Sequence, residues 1–127
     1  MMPYDSEHLP RILAALKRIR MPAILNEYDL HALVAAALLD GGFDMRHEVT
    51  VGRRARIDFM VGNVGIEVKA RRSSRTALLR QAGKYLSSDA VAALIIVSAR
   101  TISLPDRVAG KPVVMLGLLG QWGVSLP

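Results

Sequence analysis

Three residues with chemically useful side chains lie close together in the middle of this sequence: Asp58, Glu67 and Lys69. They flank the dipeptide Gly62-Asn63, and apolar and polar residues alternate on both sides of it. This pattern predicts two strands joined by a two-residue hairpin loop. In that register Asp58 lies directly opposite Glu67, with the two side chains about 5 Å apart.

Two facing carboxylates repel each other unless a proton or a cation relieves them. A divalent metal ion is the simplest explanation for the pair, and oxygen ligands favour hard cations such as Mg²⁺ or Mn²⁺. The chain contains no cysteine, which excludes a thiolate metal site. The ammonium of Lys69 lies two residues beyond Glu67 on the same face of the strand. The hairpin therefore predicts a cluster suited to metal-assisted catalysis.

The same alternation assigns side chains to the two faces of the hairpin. The apolar face is predicted to carry Ile57, Phe59, Val61, Ile66 and Val68, and the polar face Arg56, Asp58, Glu67 and Lys69. An alternative is that the two carboxylates face solvent and form ordinary cross-strand ion pairs with Arg56 and Lys69.

The spacing of Asp58, Glu67 and Lys69 resembles the central motif of the PD-(D/E)XK nuclease superfamily. The residue before Asp58 is isoleucine rather than proline, a departure shared by many members. Two further features are similar: Glu27 lies on an upstream helix, and Gln81 with Tyr85 matches the Q-x-x-x-Y motif of the branch related to the RecB nuclease. The resemblance extends over about residues 25–100.

The resemblance implies a metal-dependent nuclease that hydrolyses phosphodiester bonds in DNA with Mg²⁺ or Mn²⁺. Its implied metal ligands are Glu27, Asp58, Glu67 and the backbone carbonyl of Val68. Lys69 would orient the attacking water or stabilise the transition state. Gln81 and Tyr85 would position the water, Lys69 or the DNA strand.

Other interpretations stay open for the residues outside the hairpin. A carboxylate in the first turn of a helix also complements the helix dipole, so Glu27 can serve stability alone. His31 follows one turn later and is a possible ligand or phosphate contact, although a lone histidine is more often structural. Tyr85 can equally be an ordinary half-buried aromatic residue.

Positive charge is concentrated around this predicted site. The net charge is +6, and the segment 46–84 holds ten Lys or Arg against three acidic residues. A polyanion such as DNA is the expected partner; a solvated basic surface is the alternative. The predicted nucleic-acid-binding residues are Arg53, Arg54, Arg56, Arg71, Arg72, Arg75, Arg80 and Lys84. With one Trp, three Tyr and two Phe, an extended base-stacking platform is not expected.

Hydrophobic periodicity predicts helices over residues 6–20, 26–39 and 74–86, with Asn26 as an N-cap. Strands are predicted at 47–51, 53–61, 64–70, 90–98 and 112–116, the fourth buried on both faces. The fold class is therefore α/β (α+β), with a mixed central sheet flanked by helices. The resemblance implies the αβββαβ core of the restriction-endonuclease-like fold, preceded by an extra N-terminal helix.

The 127 residues are expected to form one domain, 1–127. It comprises an N-terminal helical extension (1–22), a core (25–116) and a tail (117–127) in which Trp122 packs on the core. The extension could pack on the sheet or form a homodimer. No apolar run approaches the about 20 residues that span a bilayer, and the N-terminus lacks signal-peptide features. We therefore expect a cytoplasmic protein with no membrane partner.

Three other functions would use some of the same residues. A resolvase of Holliday junctions or other branched DNA, or a virus-type replication-repair nuclease, would use the same core. A non-catalytic nucleic-acid-binding module retaining the fold is disfavoured because binding alone requires no facing carboxylates. A phosphatase acting on small molecules is disfavoured by the basic excess.

Overall fold

A computed structural model describes residues 8–20, 26–71 and 73–119. Over these ranges the chain has an α/β fold with three helices and six strands. In order they are α1 (His8–Leu16), α2 (Glu27–Asp40), β1 (Met45–Gly52), β2 (Ala55–Val61), β3 (Val64–Lys69), α3 (Arg75–Leu86), β4 (Ala93–Ser98), β5 (Arg107–Val108) and β6 (Lys111–Gly117). The strands form one sheet in the order β1-β2-β3-β4-β6-β5.

This sheet is mixed, as the sequence predicts. Strands β3, β4 and β6 run parallel to one another, whereas β1–β2, β2–β3 and β5–β6 are antiparallel pairs. The two-residue strand β5 was not expected from the sequence. No helix in the described parts of the chain is long and apolar enough to cross a membrane.

Polar side chains cap the two helices that border the predicted site. The Asn26 side chain accepts the Asp29 N–H at 2.8 Å, and the Ser74 hydroxyl accepts the Ala77 N–H at 3.0 Å. The predicted starts of α2 and α3 are thus confirmed. Helix α1 ends at Leu16, earlier than expected, because the following backbone bonds tighten to the third preceding carbonyl.

Two apolar clusters hold the helices against opposite faces of the sheet. Helices α1 and α2 pack on one face, and the buried side of α3 packs on the other. Strand β4 is buried along its whole length, which confirms that it is covered on both faces. The first helix therefore contributes buried residues to the same core as α2.

The predicted hairpin register is confirmed where β2 and β3 pair. Phe59 lies opposite Ile66 and Val61 opposite Val64, and Gly62 has a φ of 58°. Glycine adopts such positive φ values without steric cost, as the first residue of a two-residue hairpin loop requires.

The predicted face of Ile57 is wrong. Its side chain belongs to the cluster beneath α3, whereas Phe59 and Val61 belong to the cluster beneath α1 and α2. Strict alternation fails because the strand is irregular at Asp58, where the pairing of β1 with β2 passes over Glu48 and Asp58. Glu48, the residue of β1 at this point, has a φ of 54°, a left-handed backbone conformation that does not occur in a regular strand.

Candidate functional site

Strands β2 and β3 separate at Asp58 and Glu67, and side chains there take the place of backbone partners. The regular pairs end at Phe59 and Ile66. Beyond that point the Asp58 N–H donates to Glu67 Oε1 at 3.3 Å, and Asp58 Oδ2 accepts the Val68 N–H at 2.8 Å. Both carboxylates are therefore tied into the sheet by the neighbouring strand.

Helix α2 adds a carboxylate and an imidazole to Asp58. His31 Nε2 lies 3.6 Å from Asp58 Oδ2 and 3.4 Å from Glu27 Oε2. Glu27 Oε1 accepts the Ala70 N–H at 3.1 Å, which ties the first turn of α2 to the end of β3. One ligand atom from each of Glu27, His31 and Asp58 lies within 4.8 Å of the others. These three residues could hold a metal ion through mixed oxygen and nitrogen donors.

Aromatic rings support the histidine of this group. The ring of His47 stacks on Phe59 with a centroid separation of 4.8 Å, and the His31 ring lies 5.7 Å from Phe59. Phe59 is fully buried. Because packed rings restrict the rotation of an imidazole, this cluster helps to orient His31 toward the carboxylates.

Glu67 faces α3 and is almost fully buried, at 5% exposure. Its Oε2 lies 3.2 Å from Lys69 Nζ and accepts a hydrogen bond from Gln81 Nε2 at 3.1 Å. Burial and the nearby charge of Asp58 raise the pKa of Glu67 from 4.5 to about 7, although Lys69 opposes the shift. Its environment is thus distinct from that of Asp58, whose side chain is about one-fifth exposed.

Helix α3 supplies a short hydrogen-bond chain behind Glu67. Gln81 Nε2 also donates to the Tyr85 hydroxyl at 3.0 Å, and that hydroxyl donates to the backbone carbonyl of Arg56 at 3.0 Å. Burial is the largest cause of a raised Tyr85 pKa, with Glu67 adding to it, so the phenol stays a proton donor at neutral pH. These hydrogen bonds position the Gln81 amide against the Glu67 carboxylate.

The basic residues predicted to contact DNA fall into several places. Arg54, Arg56 and Lys84 line a groove that reaches Gln81 and Tyr85. Arg80 and Lys84 line an adjoining groove with Lys69 and Gln81. Arg53 is exposed in the turn between β1 and β2, and Arg71 lies at the end of β3 beside another cavity. The Arg75 side chain donates to the Ser103 carbonyl at 2.9 Å, so it braces a loop.

The structure brings together most of the residues that the sequence singles out. Glu27, His31 and Asp58 form one group, and Glu67, Lys69, Gln81 and Tyr85 form a second, joined to the first through the Asp58 backbone. Glu67 does not share the three-ligand group found within the described residues, and a metal-ligand role for Glu67 or for the Val68 carbonyl stays a prediction. Arg72 and Trp122 lie outside the described residues.

Sequence reasoning missed His47 and, apart from Arg71, the polar residues of the cavity beyond β3. His47 reaches Phe59 only through the register of β1 against β2, which no local pattern reveals.

Comparison with protein-family models, with curated proteins and with solved structures finds no match to this chain.

Proposed function

We propose that this chain is a metal-dependent nuclease of the PD-(D/E)XK type that hydrolyses phosphodiester bonds in DNA. One observation carries the proposal: Asp58, Glu67 and Lys69 converge where two central strands separate, between a possible metal-ligand group and a glutamine–tyrosine pair. The order of elements from α2 to β4, α-βββ-α-β, is compatible with a restriction-endonuclease-like core and supports the same proposal.

The donor set fits a divalent cation, because two carboxylates and a neutral imidazole can approach one ion from α2 and β2. Glu27, His31 and Asp58 would hold it, with Glu67 and the Val68 carbonyl as further ligands. The chemistry that such an ion supplies when bound is stabilisation of the negative charge that develops on the phosphate.

Lys69 is the residue that we expect to act on the attacking water. Its ammonium is held 3.2 Å from Glu67, and it lines a groove that opens to solvent beside Arg80. There it would orient a water molecule or donate a hydrogen bond to a phosphate oxygen. Gln81 positions Glu67, and through it the Lys69 side chain.

Positive charge along α3 supports a nucleic acid as the substrate. Arg54, Arg56, Arg80 and Lys84 line two adjoining grooves that meet at Gln81 and Lys84, with no acidic residue among their lining residues. A DNA backbone that follows these grooves passes Lys69. Contacts from arginine and lysine to phosphates position a strand without reading its sequence.

The decisive experiment is DNA cleavage in Mg²⁺, Mn²⁺ or EDTA with supercoiled, linear duplex, single-stranded and branched substrates. We expect cleavage with a divalent ion and none in EDTA. Asp58→Asn, Glu67→Gln and Lys69→Met should each lower the rate by about 10²-fold or more. Their combined loss should fall short of the sum in free energy, because the three residues act as a unit.

A matched control is Asp40→Asn, which removes an exposed carboxylate from the other end of α2. It lies about 20 Å along the helix from Glu27, so the rate should not change. Cleavage by Glu67→Gln at the wild-type rate, or wild-type cleavage in EDTA, would contradict the proposal.

A further inference from the structure

A small cavity lies where the parallel strands β3 and β4 end side by side. Lys69 pairs with Ser98 at this edge, and the cavity opens just beyond them. Its volume is about 140 Å³, and its lining residues are Ala70, Arg71, Ser73, Ser98, Ala99, Arg100, Thr101 and Ile102. A single water needs about 10–15 Å³ on the same measure, so the cavity can take a group of several heavy atoms.

The lining of this cavity is suited to an anion. Its lining residues include two arginines, two serines and a threonine, and no acidic residue. Within the described chain, neither Arg71 nor Arg100 forms an ion pair or a side-chain hydrogen bond. The cavity is therefore lined by two arginines whose charge no acidic residue of the described ranges neutralises.

Ser98 provides a second, independent indication of a ligand. The residue is only 4% exposed, and its Oγ accepts the Arg100 N–H at 3.3 Å. Its own hydroxyl proton has no acceptor among the residues that the structure describes. A buried hydroxyl that retains a free proton is costly unless something in the cavity accepts it.

The wall that carries these donors is held in place from several sides. The Ser98 and Ala99 carbonyls accept the N–H groups of Leu118 and Leu119 at 2.8 and 3.0 Å. Gly117 lies so close to the loop that a Cβ there would be 2.8 Å from the Thr101 backbone nitrogen. Arg75 braces the same loop through the Ser103 carbonyl. The backbone that carries Ser98, Arg100 and Thr101 is thus held in place, which lowers the entropic cost of ordering it around an anion.

We propose that this cavity binds a phosphate group through Arg71, Ser98 and Arg100. Guanidinium forks and hydroxyl donors match the several acceptor oxygens of phosphate. The cavity begins at Ala70, whose N–H is bonded to Glu27 of the possible metal site. On DNA, therefore, it would hold a phosphate of the same strand, next to the one that is cleaved. The placement of a DNA phosphate in the cavity rests on the proposed nuclease function, whereas phosphate binding itself does not.

The first test uses metal-free protein in EDTA and inorganic phosphate as the probe. In amide NMR titrations at constant ionic strength, phosphate should shift the signals of residues 98–101 with a measurable Kd. Arg100→Gln and Ser98→Ala should each weaken that Kd by about 10-fold, the range expected for a hydrogen bond to a charged group. Arg46→Gln is the matched control. It removes an exposed arginine from β1, on the far side of β2 and β3, and should leave the Kd unchanged.

The second test uses single-stranded oligonucleotides that carry a 5′-phosphate, a 3′-phosphate or neither, again in EDTA. A gain in affinity from one terminal phosphate that Arg100→Gln removes assigns the cavity to a strand end. Equal affinities that Arg100→Gln lowers alike assign it to an internal phosphate. Variants that bind inorganic phosphate and all three oligonucleotides as tightly as the wild type overturn the proposal.

The two proposals fail independently. Asp58→Asn should abolish cleavage and leave the Kd for inorganic phosphate unchanged, because Asp58 does not line the cavity. A protein that binds phosphate at Ser98 and Arg100 but cleaves no DNA substrate would reject the nuclease and keep the phosphate site. A protein that cleaves DNA while phosphate causes no shift at residues 98–101 would reject the phosphate site alone.

Discussion

Asp58 and Glu67 occupy different environments although the sequence places them as an equivalent pair. Asp58 accepts from the Val68 backbone and faces His31, whereas Glu67 is buried against Lys69 and Gln81. Two acids whose surroundings differ in this way can take different roles, which is a common property of functional pairs. Experiments on single residues can therefore distinguish the two carboxylates.

Glu67 should make the metal-free protein more stable as the pH falls. Because burial raises its folded pKa to about 7 from 4.5, the native state binds a proton more readily than the unfolded chain between those values. Ionising Glu67 therefore costs folding free energy above pH 7, and that cost disappears as the pH approaches 4.5. Since one pKa unit corresponds to about 1.4 kcal/mol, the effect is on the order of a few kcal/mol.

Urea denaturation in EDTA at pH 5, 6, 7 and 8 measures this effect. The free-energy difference between the wild type and Glu67→Gln should favour the variant at pH 8 and shrink toward pH 5. Comparing the two proteins cancels the titration of the histidines. A difference that is the same at all four pH values would show that Glu67 does not titrate in this range.

His31 should determine which cations bind. Imidazole is a good ligand for Zn²⁺ and later transition metals, whereas Mg²⁺ prefers oxygen. His31→Ala should therefore weaken Zn²⁺ binding by about 10-fold or more, as measured by calorimetry, and weaken Mg²⁺ binding much less. His8→Ala is the matched control, because its ring packs on Phe43 and lies outside the three-ligand group. An equal loss for both ions in His31→Ala would mean that the imidazole is not a ligand.

Short sequence patterns correctly predict those features of the helices and strands that depend on neighbouring residues. Alternation on both sides of Gly62-Asn63 was enough for the register of β2 and β3, and Asn26 and Ser74 marked the starts of two helices. Helical spacing placed Gln81 and Tyr85 on one side of α3, where the structure has them hydrogen-bonded to each other.

Features that depend on distant pairings could not be predicted in this way. The cavity at Ser98 exists because β4 runs parallel to β3 and ends beside it, and that contact spans 29 residues of sequence between Lys69 and Ser98. The face of Ile57 changes where the pairing of β1 with β2 passes over Glu48 and Asp58. Period-two alternation assumes a regular strand, so it fails where the pairing is interrupted.

Ile57 and Gly65 provide a direct test of that corrected face. A Cβ added at Gly65 would overlap with Ile57 Cδ1, and its next contacts would lie at an ordinary 3.5 Å. Gly65→Ala should therefore lower the free energy of unfolding by about 1–3 kcal/mol through overpacking. Ile57→Val removes the overlapping methyl group and alone should cost about 0.5–1.5 kcal/mol.

The double variant, Ile57→Val with Gly65→Ala, separates this arrangement from any general intolerance at Gly65. The shorter valine side chain leaves room for the added Cβ, so the double variant should be more stable than the sum of the single changes predicts, by about 1 kcal/mol or more. Gly83→Ala is the control: it lies inside α3 with nothing within 4 Å of its added Cβ, and it should gain up to about 1 kcal/mol. Additive losses in chemical denaturation would place Ile57 back on the other face.

Exposed basic residues lie on both faces of the sheet. The exposed residues of α3 include Arg80 and Lys84, and the hairpin turn beside them carries Arg53 and Arg54. Helix α1, on the opposite face, is followed by exposed basic residues, Lys17 and Arg18. Net charge alone would make both faces equivalent partners for DNA. Two adjoining grooves lie on the α3 side, and Lys69 lines one of them.

This arrangement predicts that the salt dependence of DNA affinity comes from the basic residues of α3 and not from those that follow α1. Each phosphate contact contributes a slope of about −0.9 to the logarithm of affinity against the logarithm of salt concentration for duplex DNA. In Ca²⁺, used to avoid turnover, Arg80→Gln with Lys84→Gln should reduce the slope by about two contacts. Lys17→Gln with Arg18→Gln removes the same charge from the opposite face and should change only the weak long-range attraction, which is screened within about 10 Å at 0.1 M salt. Fluorescence anisotropy with one duplex across a series of salt concentrations measures both variants. Equal slope changes in the two double variants would mean that DNA is attracted by net charge without a defined path past Lys69.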